Sequence, residues 1–216
     1  MDFGVISEGP TDQIVLENIL YGYCNDKNLL VKPLQPKPGE SGNWDKVFRY
    51  CASTDFKEAL TSAYSVDFLI VHLETDFMRR QEVPEHYRFD PQNLSPEQVA
   101  AAMRHKLIDA IGTGFYREYA HRIIFAIAVD AIECWFLPVY YPNKPMIAAK
   151  TTNCLESLNR RLAQAEGFTI HAKDEKYYRV IGKHFQKKRD LLGFADQNPS
   201  LGWFIQELEE KIPLDR

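Results

Sequence analysis

The sequence predicts an α/β protein: a mostly parallel central sheet of about four to five strands, flanked by helices and extended by a helical C-terminal elaboration. Three observations carry that expectation. Short, nearly continuous apolar runs recur at residues 3–7, 29–35, 68–73 and 122–129. Runs of this length, bounded by polar residues, read as strands buried on both faces, as a parallel sheet requires. Segments of helical periodicity separate them, and such alternation covers a parallel sheet with helices. Three of the runs also end in carboxylates: Glu8, then Glu74 and Asp76, then Asp130 and Glu133.

Each element follows from its local pattern. The first strand runs into Glu8-Gly-Pro-Thr-Asp12, where Gly9 and Pro10 mark a tight turn. Thr11 reads as the N-cap of a helix to about Tyr23, and Asp12 places negative charge in its first turn, where the dipole favours it. The second strand lies near an edge because of Pro33. Residues 36–43 form a loop, and residues 44–63 read as one helix with Val47, Tyr50, Cys51 and Leu60 on or near one face. If the third strand stays extended to Asp76, Glu74 and Asp76 project from the same face and can share a divalent cation.

Residues 77–96 form a long charged insertion, and Arg79, Arg80, His86 and Arg88 in it either contact substrate phosphate or line a solvated loop. Ser95, Pro96 and Glu97 start a helix to about Ile111. Gly112 and Gly114 interrupt it before a short helical piece to Tyr119. The apolar run 122–129 reads as a central strand. A helix beginning near Asp130 would set Asp130 and Glu133 on adjacent turns of one face, with Trp135, Phe136 and Leu137 packed under the sheet. An amphipathic helix follows on Leu155, Leu158 and Leu162, closed by Gly167. Then comes a basic stretch. Lys173, Lys176, Arg179, Lys183, Lys187, Lys188 and Arg189 alternate with Tyr177, Tyr178, His184 and Phe185, opposed only by Asp174 and Glu175. It suits a nucleic-acid backbone or a charged helix face. A last helix carries Leu201, Phe204, Ile205 and Leu208.

The 216 residues are 45% hydrophobic and 26% charged, enough for one large domain, divided here into a core over residues 1–140 and a helical extension over 141–216 packed on it. No apolar run reaches 18 residues, and the N-terminus lacks a basic, then apolar, leader; a cytoplasmic protein without a membrane segment is expected. Cys24, Cys51, Cys134 and Cys154 show no CxxC spacing and read as reduced thiols. The formal charge of −4 argues against whole-surface attraction to nucleic acid and leaves room for a local basic patch.

Parallel strands would gather Glu8, Glu74, Asp76, Asp130 and Glu133 at one sheet edge. Like charges raise one another's pKa, and a hard divalent ion removes that cost. Mg²⁺ (or Mn²⁺) takes oxygen ligands and suits phosphate chemistry.

These residues also carry a resemblance. Val5-Ile-Ser-Glu8-Gly9-Pro-Thr-Asp12 resembles the first motif of the Toprim fold, a Rossmann-like α/β arrangement, and Glu74-Thr-Asp76 lies where Toprim proteins have Asp-x-Asp. The segment from Ala128 to Leu137 is similar to small Toprim-like proteins of bacterial and phage-defence loci, distant relatives of the overcoming-lysogenisation-defect (OLD) nucleases. The resemblance implies a Mg²⁺-dependent nuclease acting on DNA or RNA, with Glu8 and Asp76 catalytic and Glu8, Glu74, Asp76 and Glu133 at the metal. Asp130 is a further candidate ligand, and Lys176, Lys183, Lys187, Lys188 and Arg189 are candidate phosphate contacts. No GxxxxGK[ST] motif is present, so ATP-driven control would come from a partner chain such as an ATPase. Glu74 departs from the usual aspartate, which keeps a second expectation open: a non-catalytic sensor or partner-binding module. A small-molecule phosphatase would want an aspartate nucleophile directly after a strand, which the Glu74-x-Asp76 order fits less well.

Overall fold

The computed structural model describes residues 1–88 and 94–212. Strand β1 (Asp2–Ile6) leads through α1 (Pro10–Cys24) to β2 (Leu30–Gln35). Helices α2 (Trp44–Cys51) and α3 (Thr54–Thr61) precede β3 (Phe68–Glu74), and α4 (Pro96–Ile111) and α5 (Thr113–Tyr119) precede β4 (Ile123–Ala128). After a 3-10 turn, Ile132–Phe136, come α6 (Leu137–Tyr140), α7 (Pro145–Ala148), α8 (Cys154–Ala165), α9 (Glu175–Ile181), α10 (Lys188–Ala195) and α11 (Pro199–Lys211). The strands pair in the order β2-β1-β3-β4, every pair parallel. The expected α/β class is thus the observed one.

Alternation along each strand divides the core in two. Phe3, Val5, Ile70, Ile124, Ala126 and Ala128 face α1 and the C-terminal helices, packing with Ile14, Ile19, Trp135, Tyr178, Phe185 and Phe204. Ile6, Leu69, Val71, Leu73, Ile123 and Phe125 face α2, α3 and α4, packing with Val47, Phe48, Phe56, Met103 and Leu107. Burying a side chain of this size stabilises by roughly 1.5–3 kcal/mol. Both faces need that cover, which is why the strands read as unbroken apolar runs.

Several local expectations are corrected. The N-cap of α1 is Gly9 rather than Thr11, and Asp12 Oδ2 accepts the Gly9 N–H at 2.8 Å. Residues 44–63 form two helices, because Ser53 caps a new start by accepting from Phe56 N at 3.3 Å. Strand β4 lies at the end of the sheet rather than in its centre. Its run is apolar throughout because both its faces are covered, and α11 lies against it, with Lys211 Nζ donating to Ile123 O at 2.6 Å. In α8, Leu158 and Leu162 are buried but Leu155 is exposed.

The cysteine reading also changes. Cys134 and Cys154 form a disulfide, while Cys24 and Cys51 remain thiols. The turn after β4 and the start of α8 bring two Cα atoms separated by 20 positions to 4.9 Å, a juxtaposition that spacing alone does not reveal. The pairing withdraws the cysteine-based argument for a reducing compartment. No helix among the described residues is long and apolar enough to cross a membrane.

A cross-link closing a loop of this length stabilises by about 3 kcal/mol. Dithiothreitol, or the double substitution Cys134→Ser with Cys154→Ser, should therefore lower the melting temperature by roughly 6–12 °C for a chain of this size. Peptide mapping without reductant should recover the two segments linked. An unlinked map, or a melting temperature indifferent to reductant, would contradict the pairing.

Candidate metal centre

The carboxyl ends of parallel strands emerge on one side of a sheet, where ligands bind in such folds. Glu8 follows β1 there, Asp76 opens a 3-10 turn (Asp76–Arg79) after β3, and Asp130 follows β4. Cross-connections fix them. Glu74 N–H donates to Glu8 Oε1 at 2.8 Å. The amides of Thr75 and Asp76 both donate to Asp130 O at 3.1 Å, and Asp130 N–H donates to Thr75 Oγ1 at 2.8 Å. Asp130 adopts φ 70°, a left-handed conformation that aspartate tolerates better than most residues and that these three bonds hold in place.

Arginines meet the two later acids. Arg79 Nη1 lies 2.8 Å from Asp130 Oδ1, and Arg80 Nη2 lies 2.8 Å from Asp76 Oδ2. Of the other insertion candidates, Arg88 is exposed. The side chain of His86 and residues 89–93 lie outside the described set.

Glu74 does not join Asp76. The extension ends at Glu74, so the two side chains diverge. Glu74 turns inward, its Oε1 accepting Ile132 N–H at 2.8 Å and its Oε2 meeting Lys173 Nζ at 2.6 Å. Lys173 Nζ also lies 3.5 Å from Oδ1 of Asp12, which is fully buried. His72, two residues before Glu74 on the same face of β3, is fully buried as well. One ligand atom from each of Asp12, His72 and Glu74 falls within 4.8 Å of the others, a cluster that could hold a metal ion. Among the described residues the other such group is Asp130, Cys134 and Cys154, whose sulfurs are bonded to each other and offer no thiolate.

Glu133 also parts from Asp130. The helical turn starts at Ile132, after Asp130, and buried Glu133 instead accepts from the Tyr178 hydroxyl. The acids therefore form two tiers. Glu8, Asp76 and Asp130 make an outer rim; Asp12, Glu74 and Glu133 lie beneath it with His72 and Lys173.

The electrostatics follow from crowding. Burial, then Asp12 and Asp76, push the Glu8 carboxyl up to about 8, against the opposing Glu74 amide and Lys173. Burial and the neighbouring acids Asp12, Glu133 and Glu8 raise Glu74 well above the usual range despite Lys173. Asp130 is raised by burial and by Asp76, with Arg79 opposing. Burial alone would lower Lys173, but Asp12, Glu74 and Glu133 hold its ammonium well above the ordinary lysine value. One ammonium does not offset the inner carboxylates, so the cluster calls for a proton or another cation.

The basic stretch is split. Lys173 reaches the acids, and Arg179 lines, with Lys37, Lys173 and the first turn of α1, a cavity of about 760 Å³ beside Glu8. The loop 36–43 forms its other wall and passes so close that a Cβ on Gly42 would lie 2.2 Å from Glu8 O. Lys176 pairs with Asp174 at 3.0 Å. Lys183, Lys187, Lys188 and Arg189 instead line a separate cavity with Lys27, against Cys24 and Asn25 at the far end of α1. At about 1.5 Å per residue, that helix sets the two cavities roughly 20 Å apart.

Sequence reasoning missed Asp12, His72 and Lys173 as site residues. His72 had a signal, its i−2 spacing from Glu74. Lys173 had none, being 99 positions from the carboxylate it contacts. Comparison of the chain with family models, with curated proteins and with solved structures gave no match.

The raised Glu8 has a consequence for stability. The unfolded carboxyl loses its proton near 4.5, the folded one near 8, so the stabilisation is full below 4.5 and lost as pH rises through 8. Raised Glu74 and Asp130 act in the same sense. Lowered His72 opposes them, but only below its ordinary value of 6.5. In metal-free buffer, the Glu8 carboxyl alone should lower stability by about 2 kcal/mol as pH rises from 6.5 to 8. Glu8→Gln should make that slope shallower in melting curves; an equal slope in the variant would show that Glu8 does not contribute to it.

Proposed function

We propose that the chain is a Mg²⁺-dependent nuclease of the Toprim type, cleaving phosphodiester bonds in DNA or RNA. The observation that carries this reading is the gathering of Glu8, Asp76 and Asp130 at one edge of the sheet, near enough that Asp76 raises both of the others, with Glu8 lining a cavity of mixed charge. Their donor set is all oxygen, which fits a hard cation, and the proton held by Glu8 is what a cation would replace. Bound Mg²⁺ would activate the attacking water and stabilise the leaving oxygen.

The chain's own residues supply the rest. Glu8 Oε1 is committed to the Glu74 amide, so its proton sits on Oε2. A bound cation would displace that proton, so Oε2 would serve as its ligand or orient the attacking water. Lys37 on the cavity wall is placed to meet phosphate oxygens, while Lys173 and Arg179 line the same cavity paired with Glu74 and Glu175. The second basic cavity, with Lys183, Lys187, Lys188 and Arg189, would hold the same strand farther along its backbone. The resemblance to small Toprim-like proteins of defence loci supports a role as effector of an anti-phage system, with ATP-driven control from a partner chain.

A second reading rests on the Arg79–Asp130 and Arg80–Asp76 pairs, which give the outer acids internal counter-charges. An acid rim already neutralised suits a non-catalytic sensor or partner-binding subunit.

Incubation with DNA and RNA in Mg²⁺ or Mn²⁺ separates the two. Metal-dependent cleavage should appear and should fall about 100-fold or more in Asp76→Asn, with an unchanged circular dichroism spectrum. Undiminished cleavage by that variant would dispose of the nuclease assignment. No cleavage, together with no rise in melting temperature at millimolar metal, would favour the module.

A further inference from the structure

The inner tier has a feature that the proposed cleavage does not use. His72 Nδ1 lies 2.6 Å from Ala126 O, and its Nε2 has no hydrogen-bond partner although the residue is fully buried. A carbonyl oxygen only accepts, so Nδ1 carries the ring proton and Nε2 is a bare lone pair. Trp135 lies edge-on to the ring, with centroids 5.7 Å apart, which fixes its orientation. One imidazole nitrogen anchored on a backbone carbonyl, with the other left open, is how ligating histidines are held, and this ring brings a nitrogen within 4.8 Å of two carboxylates.

We propose that Asp12, His72 and Glu74 form a site for a first-row transition-metal ion of the Mn²⁺ or Zn²⁺ class, and that Lys173 is its built-in competitor. The imidazole makes the difference from the outer rim. Nitrogen ligation suits transition ions and disfavours Mg²⁺, which prefers oxygen and keeps its waters. Lys173 Nζ sits where such an ion would, 2.6 Å from Glu74 Oε2 and 3.5 Å from Asp12 Oδ1. The lysine side chain is 44% exposed and lines the cavity beside Glu8, so the ammonium can withdraw to solvent while an ion enters by the same route. Either cation offsets the buried acids, and the two exclude each other. This inference stands whether or not the chain cuts nucleic acid, because Glu8 and Asp76 take no part in it.

Pulsed electron paramagnetic resonance on the full chain with Mn²⁺ tests it. The bound ion should show nitrogen hyperfine coupling that survives about a tenfold excess of Mg²⁺ and is lost in His72→Gln. Lys173→Met should tighten Mn²⁺ binding about tenfold or more. Glu8→Gln, which removes the outer rim's proton carrier, should leave the nitrogen coupling intact, separating this site from the cleavage reading. A signal without nitrogen coupling, its loss to Mg²⁺, or its persistence in His72→Gln would overturn the proposal. Should His72→Gln fail to fold, Lys173→Met decides: unchanged or weaker Mn²⁺ affinity overturns the competition.

Discussion

The structure depends on a charge imbalance held at the end of β3. Asp12, Glu74 and Glu133 are buried there with one ammonium, Lys173, close to them. A carboxylate out of water is costly unless its oxygens are bonded and its charge offset. Every connection around the site answers that demand. The Ile132 amide and Lys173 take the two oxygens of Glu74, the Gly9 amide takes one of Asp12, and the Tyr178 hydroxyl takes one of Glu133. Lys173 and Tyr178 belong to the C-terminal third of the chain. The acids therefore hold that third against the sheet, alongside the apolar contacts of Trp135 and Phe204.

How much of this was legible in the sequence can be argued residue by residue. The strands were, because covering both faces of a parallel sheet forces continuous apolar runs such as Phe68 to Leu73. The gathering of Glu8, Asp76 and Asp130 was too, since parallel strands end on one side. The separate path of Glu74 was not. It turns on whether the chain stays extended for one more residue, and the 3-10 turn at Asp76 decides that through its bond to Asp130 O. The placing of Lys183, Lys187 and Arg189 at the far end of α1 was equally hidden, because charge pattern reports solvation and not position. Continuous apolarity likewise reported that β4 is covered without reporting that it is terminal.

The two tiers divide the work of one sheet edge by chemistry. The outer rim is all oxygen: Glu8 lines a cavity, and Asp76 and Asp130 pair with half-exposed arginines. The inner tier is buried, includes an imidazole and meets the same cavity through Lys173. Successive residues of β3 and the turn after it serve both, because His72 and Glu74 point to one face while Asp76 is carried round by the turn.

The two terminal strands have a consequence for how copies of this molecule meet. On β4, the Lys211 ammonium occupies the Ile123 carbonyl, and α11 shields that flank. On β2, Pro33 offers no amide hydrogen, and Lys32 beside it pairs with Asp2 of β1. An approaching strand from another molecule would find interrupted rows of donors and acceptors instead of a template. Crowded copies are thereby steered away from edge-to-edge polymerisation.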